Sequence, residues 1–200
     1  MKGYLNFYKN IFFLVIVFAL LSFNNVPNIE ITDLRCEYKT NPLGIDNTTP
    51  RLSWKLELIE QERGQKQTAF QVLVASSLDA LNSNSCDVWN SGKIESSQSV
   101  NNIFKGNALK SARQYFWKVK VWDKNGIASS WSKPAKFSMG LLKQSDWLGD
   151  WILKQDQDKK DHNWYRKNFE LQDKATSAFV FVGSFGYHEL YVNGEKVTNN

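Results

Sequence analysis

Tyr115-Phe116-Trp117-Lys118-Val119-Lys120-Val121-Trp122-Asp123-Lys124-Asn125-Gly126 is the stretch that decides the fold. Tyr115, Trp117, Val119 and Val121 alternate with Phe116, Lys118, Lys120 and Trp122. Successive side chains of an extended chain point to opposite faces, so a period of two places four apolar groups on one face of a strand. A helix, with 3.6 residues per turn, would scatter them. Asp123-Lys124-Asn125-Gly126 then ends the strand in a turn.

The same pattern extends in both directions. Upstream, Leu52, Trp54, Leu56 and Leu58 alternate with Arg51, Ser53, Lys55 and Glu57, and Glu62-Arg63-Gly64-Gln65 reads as a turn. Phe70, Val72 and Val74 form an apolar face in the next strand, and Asp87–Ile94 reads as a short strand broken at Asn90-Ser91-Gly92. Downstream, Pro134–Gly140 supplies a last strand. Only Ser77–Asn82 invites a helix, of a turn or two. Many short strands separated by turns argue for an antiparallel β-sandwich over residues 29–142.

A second unit is expected over residues 146–200. Trp164–Phe169 reads as a strand, and Ala178–Val182 (AFVFV) as a strand buried on both faces. Tyr187–Val192 alternates, and Asn193-Gly194 is a strong hairpin signal. Three or four strands in about 50 residues leave open edges and an uncovered face, so this sandwich is expected to be incomplete.

The leader reads differently. Met1–Asn10 has two lysines and no acid, and Ile11–Leu21 is an unbroken apolar run followed by Ser22, Asn24, Asn25 and Pro27. This order describes a signal peptide over residues 1–28, with export to the periplasm, outer surface or medium. The run is short of the roughly 20 residues that span a bilayer. An uncleaved N-terminal anchor stays open as the alternative, and membrane contact is expected only through this leader.

Composition narrows the function classes. The chain of 200 residues is 42% hydrophobic and 22% charged, an ordinary globular balance. Its net charge of +5 includes two leader lysines, and removing them leaves +3. Basic residues alternate with apolar ones and form no clustered stripe, so nucleic acid is not an expected partner. Cys36 and Cys86 read as two small buried groups or as one disulfide, and the spacing suits no metal site.

Several segments in fixed order resemble a known family. They are Leu34-Arg35-Cys36-Glu37-Tyr38, Asn41-Pro42-Leu43-Gly44-Ile45-Asp46, Pro50-Arg51-Leu52-Ser53-Trp54, Arg63–Ala75, Trp89-Asn90-Ser91-Gly92-Lys93 and Tyr115–Asp123. Together they are similar to the opening of bacterial α-L-rhamnosidases of glycoside hydrolase family 78. The resemblance covers residues 31–200. It implies a fibronectin type III-like sandwich followed by a jelly-roll-like accessory β-sandwich, which Gly186–Gly194 also resembles. It further implies an enzyme that removes terminal α-L-rhamnose from glycans or glycosides with inversion. The family's catalytic domain is an (α/α) barrel with no counterpart here, so no catalytic residue carries over and this chain is expected to be inactive alone.

The residues offer little other chemistry. An inverting glycosidase needs two carboxyl groups about 6.5–9.5 Å apart, one of them kept protonated. No pair in this pattern is placed so. Asp156, Asp158 and Asp161 lack the spacing of a calcium loop and sit beside Lys159 and Lys160. His162 lies in the same polar loop, and His188 shares the parity of Leu190 and Val192 and reads as structural. No nucleophile elbow, P-loop or dinucleotide glycine pattern occurs, and no cofactor or metal is expected. Sugar contacts are the remaining possibility, through Trp164, Tyr187, Glu189, Tyr191 and Asn193; the competing reading makes the aromatics core and Asn193 a turn residue. A stand-alone surface carbohydrate-binding module and a protein-docking module therefore stay beside the rhamnosidase reading.

Overall fold

The computed structural model describes residues 29–153, 163–173, 175 and 177–197. The leader, the acidic cluster Asp156, Asp158 and Asp161, and His162 lie outside them. Compact packing divides the chain between Leu148 and Gly149.

The first unit is a two-sheet antiparallel sandwich. One sheet has the order β1-β2-β6, with β1 at Ile29–Cys36, β2 at Arg51–Leu58 and β6 at Asn102–Ile103. In the other, β3 (Ala69–Ala75) and β7 (Gln114–Trp122) form the centre and β8 (Ala135–Ser138) lies beyond β7. The far edge of β3 carries β4 (Trp89–Asn90) and β5 (Ile94–Glu95), two halves of one interrupted strand. The break falls at Ser91-Gly92-Lys93, one residue later than the sequence suggests, and Gly92 takes φ +63° there. Ser91 holds the gap closed, its backbone N–H donating to Val72 O and its Oγ accepting from Val72 N–H.

The inward half of the alternation in 115–122 is realised, while Lys118 of the outward half is buried as well. Tyr115, Trp117, Val119 and Val121 are buried between the sheets with Phe70, Val72 and Val74 from β3, and Leu52 and Trp54 from β2. In β2 the apolar face runs out toward its end, where Leu56 is half-buried and Leu58 exposed. Asp123 makes the predicted turn, its Oδ1 accepting from the backbone of Asn125 and Ile127 at 2.8 Å each, with Gly126 at φ +74°. Ser77 caps α1 (Leu78–Asn82) by accepting from Ala80 N–H.

Two features escaped the sequence. β1 carries a bulge: Thr32 faces Lys55 but Arg35 faces Ser53, so one extra residue sits on β1 with Asp33 at φ +46°. The inward parity shifts there from Ile29 and Ile31 to Leu34 and Cys36. The edge of β8 is covered by the 42–45 segment, where Ser138 donates to Pro42 O and Ile45 to Ser138 O.

A smaller cluster on the outer face of the larger sheet packs Leu73, Ala75 and Leu81 with Cys86, Phe116 and Trp131. Cys36 belongs to the inter-sheet core and Cys86 to this outer cluster, and both thiols are free. The two sit on opposite faces of one layer, which accounts for the absence of a bond between them.

The second unit is described only in part. Its ordered pairing among the described residues is a hairpin of β9 (Tyr191–Val192) and β10 (Glu195–Lys196). Asn193 and Gly194 take φ +52° and +86°, as the Asn-Gly signal requires. Two sequence expectations do not hold here. Neither 164–169 nor 178–182 forms a strand, and Phe179, Val180 and Val182 are exposed rather than doubly buried. An apolar run becomes a buried strand only where neighbouring strands and a second layer cover it, and no such layer exists among the described residues.

Candidate functional site

The hairpin of the second unit brings chemistry together by register. Tyr187, Glu189 and Tyr191 share one parity, so an extended chain presents them on one face. Lys196 lies directly opposite Tyr191 across the hairpin. The result is a carboxylate with three donors. Tyr191 Oη donates to Glu189 Oε2 at 2.7 Å, and Tyr187 Oη and Lys196 Nζ both donate to Oε1. Lys196 above all, then the two tyrosines, holds the Glu189 carboxyl at about 2, well below its ordinary range.

That electrostatic setting decides what Glu189 can do. A glycosidase acid must keep its proton near neutral pH. Glu189 is stabilised in the opposite form, as an acceptor. With their protons turned to Glu189, Tyr187 and Tyr191 present oxygen lone pairs outward, and Lys196 retains N–H groups to donate.

Aromatic faces flank this polar centre. The Trp164 ring lies 6.0 Å from that of Tyr191, inclined at 41°. Trp164 and Tyr187 are 82% and 87% exposed, so neither ring is a core group. Four of the five expected sugar-contact residues, Trp164, Tyr187, Glu189 and Tyr191, thus come together. Asn193 does not join them: its left-handed backbone makes it the turn residue. His188 is exposed, with Nδ1 2.8 Å from Ser184 Oγ. Sequence reasoning missed a second exposed aromatic pair, Trp151 stacked on Phe185 with centroids 4.6 Å apart. Among the described residues no group of His, Cys, Asp or Glu side chains is arranged to hold a metal ion. Nor, among them, is any helix long and apolar enough to cross a membrane.

Comparison with known proteins bears on most of the chain. Residues 31–143 match the family of the Rha78A-like N-terminal immunoglobulin domain. The chain belongs to that family. An α-L-rhamnosidase of Formosa agariphila is 38% identical over 183 residues, taking in 80% of this chain and 19% of that protein. One from Alteromonas sp. (strain LOR) is 33% identical over 199 residues, 94% of this chain and 21% of the relative. Among solved structures, the α-L-rhamnosidase from Dictyoglumus thermophilum superposes with a TM-score of 0.60 at 42% identity, over 66% of this chain and 14% of that one. The Streptomyces avermitilis enzyme, complexed with L-rhamnose, gives 0.56 at 42%, over 60% and 11%. This member of the Rha78A-like family spans about a fifth of the length of the rhamnosidases it matches. The sandwich of residues 31–143 is immunoglobulin-like, within the all-β class that the strand pattern implies.

Proposed function

We propose that this chain is the N-terminal, non-catalytic region of an exported α-L-rhamnosidase that hydrolyses terminal α-L-rhamnose from glycans or glycosides. The observation that carries the reading is the alignment of 80% and 94% of the chain with about a fifth of two rhamnosidase relatives. The ionised Glu189 supports a supporting role rather than proton transfer. The leader supports export. In this reading the apolar surface left open in residues 149–197 is covered by the rest of the enzyme.

Two assays test it. The 200-residue chain should release no p-nitrophenol from p-nitrophenyl α-L-rhamnoside above background. The gene should read on past Asn200, and the longer product should turn over the same substrate. Turnover by the short chain, or an inert full-length product, would sink the proposal.

The exposed cluster of Trp164, Tyr187, Glu189 and Tyr191 favours one second reading, a stand-alone carbohydrate-binding module. It requires saturable binding of rhamnose-bearing oligosaccharides by this chain, lost in Trp164→Ala with folding unchanged.

A further inference from the structure

The outer face of the larger sheet in the first unit carries a feature that rhamnoside hydrolysis leaves unused. Lys118 and Lys120 are outward neighbours on β7, two residues and therefore about 7 Å apart along one face. Both ammonium groups lie over the same indole: Lys118 Nζ is 5.1 Å and Lys120 Nζ 4.4 Å from the Trp131 ring. Lys136 stands on the same face of β8, opposite Phe116.

Trp131 is fixed there by the backbone around it. Ser129 N–H donates to Val121 O and Ser132 N–H to Val119 O, both at 2.8 Å. In return Ser129 Oγ and Ser132 Oγ accept from Val121 and Val119 N–H at 3.1 Å. The segment thus runs as a pseudo-strand along β7, and its serines hold the indole over the lysines.

These cations are not neutralised internally. Among the described residues no ion pair includes Lys118, Lys120 or Lys136. Carboxylates at the ends of the face are already engaged, Glu95 by Lys93 and Asp87 by Ser76. Lys118 is only 6% exposed, and burial, with the like charge of Lys120, lowers its pKa. Two like charges share one ring where solvation is poor, an arrangement that an incoming anion relieves. The face of the indole supplies only part of that compensation.

We infer that this face, Lys118, Lys120 and Lys136 around Trp131, is a docking surface for an acidic glycan chain bearing carboxylate or sulfate groups. Charge complementarity argues for the anion. The choice of a glycan over another polyanion rests on the rhamnosidase reading above. Half-buried Lys120 and exposed Lys136 make the contacts, and buried Lys118 adds to the field.

The test is affinity electrophoresis of the chain in gels containing polygalacturonate, dextran sulfate or neutral dextran. Retardation by an acidic polymer and not by neutral dextran is expected, and it should weaken as salt rises. The two acidic polymers separate carboxylate from sulfate recognition. Lys120→Gln with Lys136→Gln should weaken binding about tenfold, with an unchanged melting curve. Lys39→Gln with Lys55→Gln removes the same charge from the smaller sheet and its turn, and should leave binding nearly intact. Equal retardation by neutral dextran, equal loss in both double variants, or tighter binding to single-stranded DNA at the same salt would overturn the inference. Rhamnoside turnover is read separately, so its failure is distinguishable from a failure here.

Discussion

Trp117 and Trp164 mark the difference between the two units. Trp117 is wholly buried, with its outward neighbours on the same strand covered by a second cluster. Trp164 stands 82% exposed beside a two-residue hairpin. The second unit is the richer in aromatics, with nine in residues 149–200 against twelve in the longer stretch 29–148, so composition does not explain why its rings are the exposed ones. What separates them is a second layer. In residues 29–148 the apolar faces of β3 and β7 meet another sheet, the short helix or the Trp131 segment. In the described part of 149–197 the apolar side chains meet no such layer, and the aromatic rings become surface.

The largest expected effect contrasts these two residues directly. Trp117→Ala should cost about 3–5 kcal/mol by opening a cavity in a close-packed core. Trp164→Ala should change stability by less than about 0.5 kcal/mol, as for an exposed side chain. Urea unfolding followed by circular dichroism measures both. A large loss from Trp164→Ala would break the contrast by showing that residues 149–197 bury their aromatics in solution. A somewhat smaller loss is expected from Gly106→Ala. An added Cβ there would fall 2.5 Å from Trp89 Cβ and 2.7 Å from Val88 O, so backbone must shift. Overpacking of this kind costs about 1–3 kcal/mol, and it should appear as a lower urea midpoint.

How much of this was legible follows the same division. The β7 alternation and the Asp123–Gly126 turn were readable because local pattern and tertiary environment agree there. The bulge at Asp33 was not read, although the parity change from Ile31 to Leu34 is its signature. β6 is two residues long and offers no period. Ala178–Val182 was misread because apolarity states that burial is favourable, not that a covering layer is at hand. In the site, the parity of Tyr187, Glu189 and Tyr191 was visible, and the hairpin register adds Lys196. The approach of Trp164 to Tyr191 depends on tertiary placement, and no local period encodes it. Lys118 and Lys120 read as ordinary wet-face charges, because nothing local places Trp131 over them.

The two thiols sharpen the comparison within the first unit. Burial pushes the Cys36 thiol up to about 12. At pH 8 that leaves roughly one part in ten thousand as the reactive thiolate. Cys86 is raised also, chiefly by burial, but is only half-buried. Disulfide-exchange labelling of the native chain at pH 8 should therefore modify Cys86 and spare Cys36 until urea unfolds the sandwich. Labelling of both at equal rates without denaturant would mean that the core opens readily.

The smallest expected effect is electrostatic and compares one carboxylate from each unit. Asp33, on the β1 bulge, is held at about 2, chiefly by the Arg35 side chain and then by Lys55. Glu189 is held at about 2 by Lys196 and the two tyrosines. The ordinary values are 3.8 and 4.5, so both are depressed on folding. A depressed carboxylate contributes stability that is fully present above its unfolded value and is lost as pH falls through its folded value. Both contributions should hold above about pH 4.5 and fade toward pH 2. Solvent exposure and salt keep each one small. Carboxyl-carbon NMR titration reads the two sites separately, and both should remain ionised at pH 3. If Asp33 stays charged there while Glu189 titrates near its ordinary value, the Tyr187–Glu189–Tyr191 cluster is open in free solution. Its donors would then be available to a sugar from the start, whereas a low Glu189 value means that a ligand must compete with Lys196 for the carboxylate.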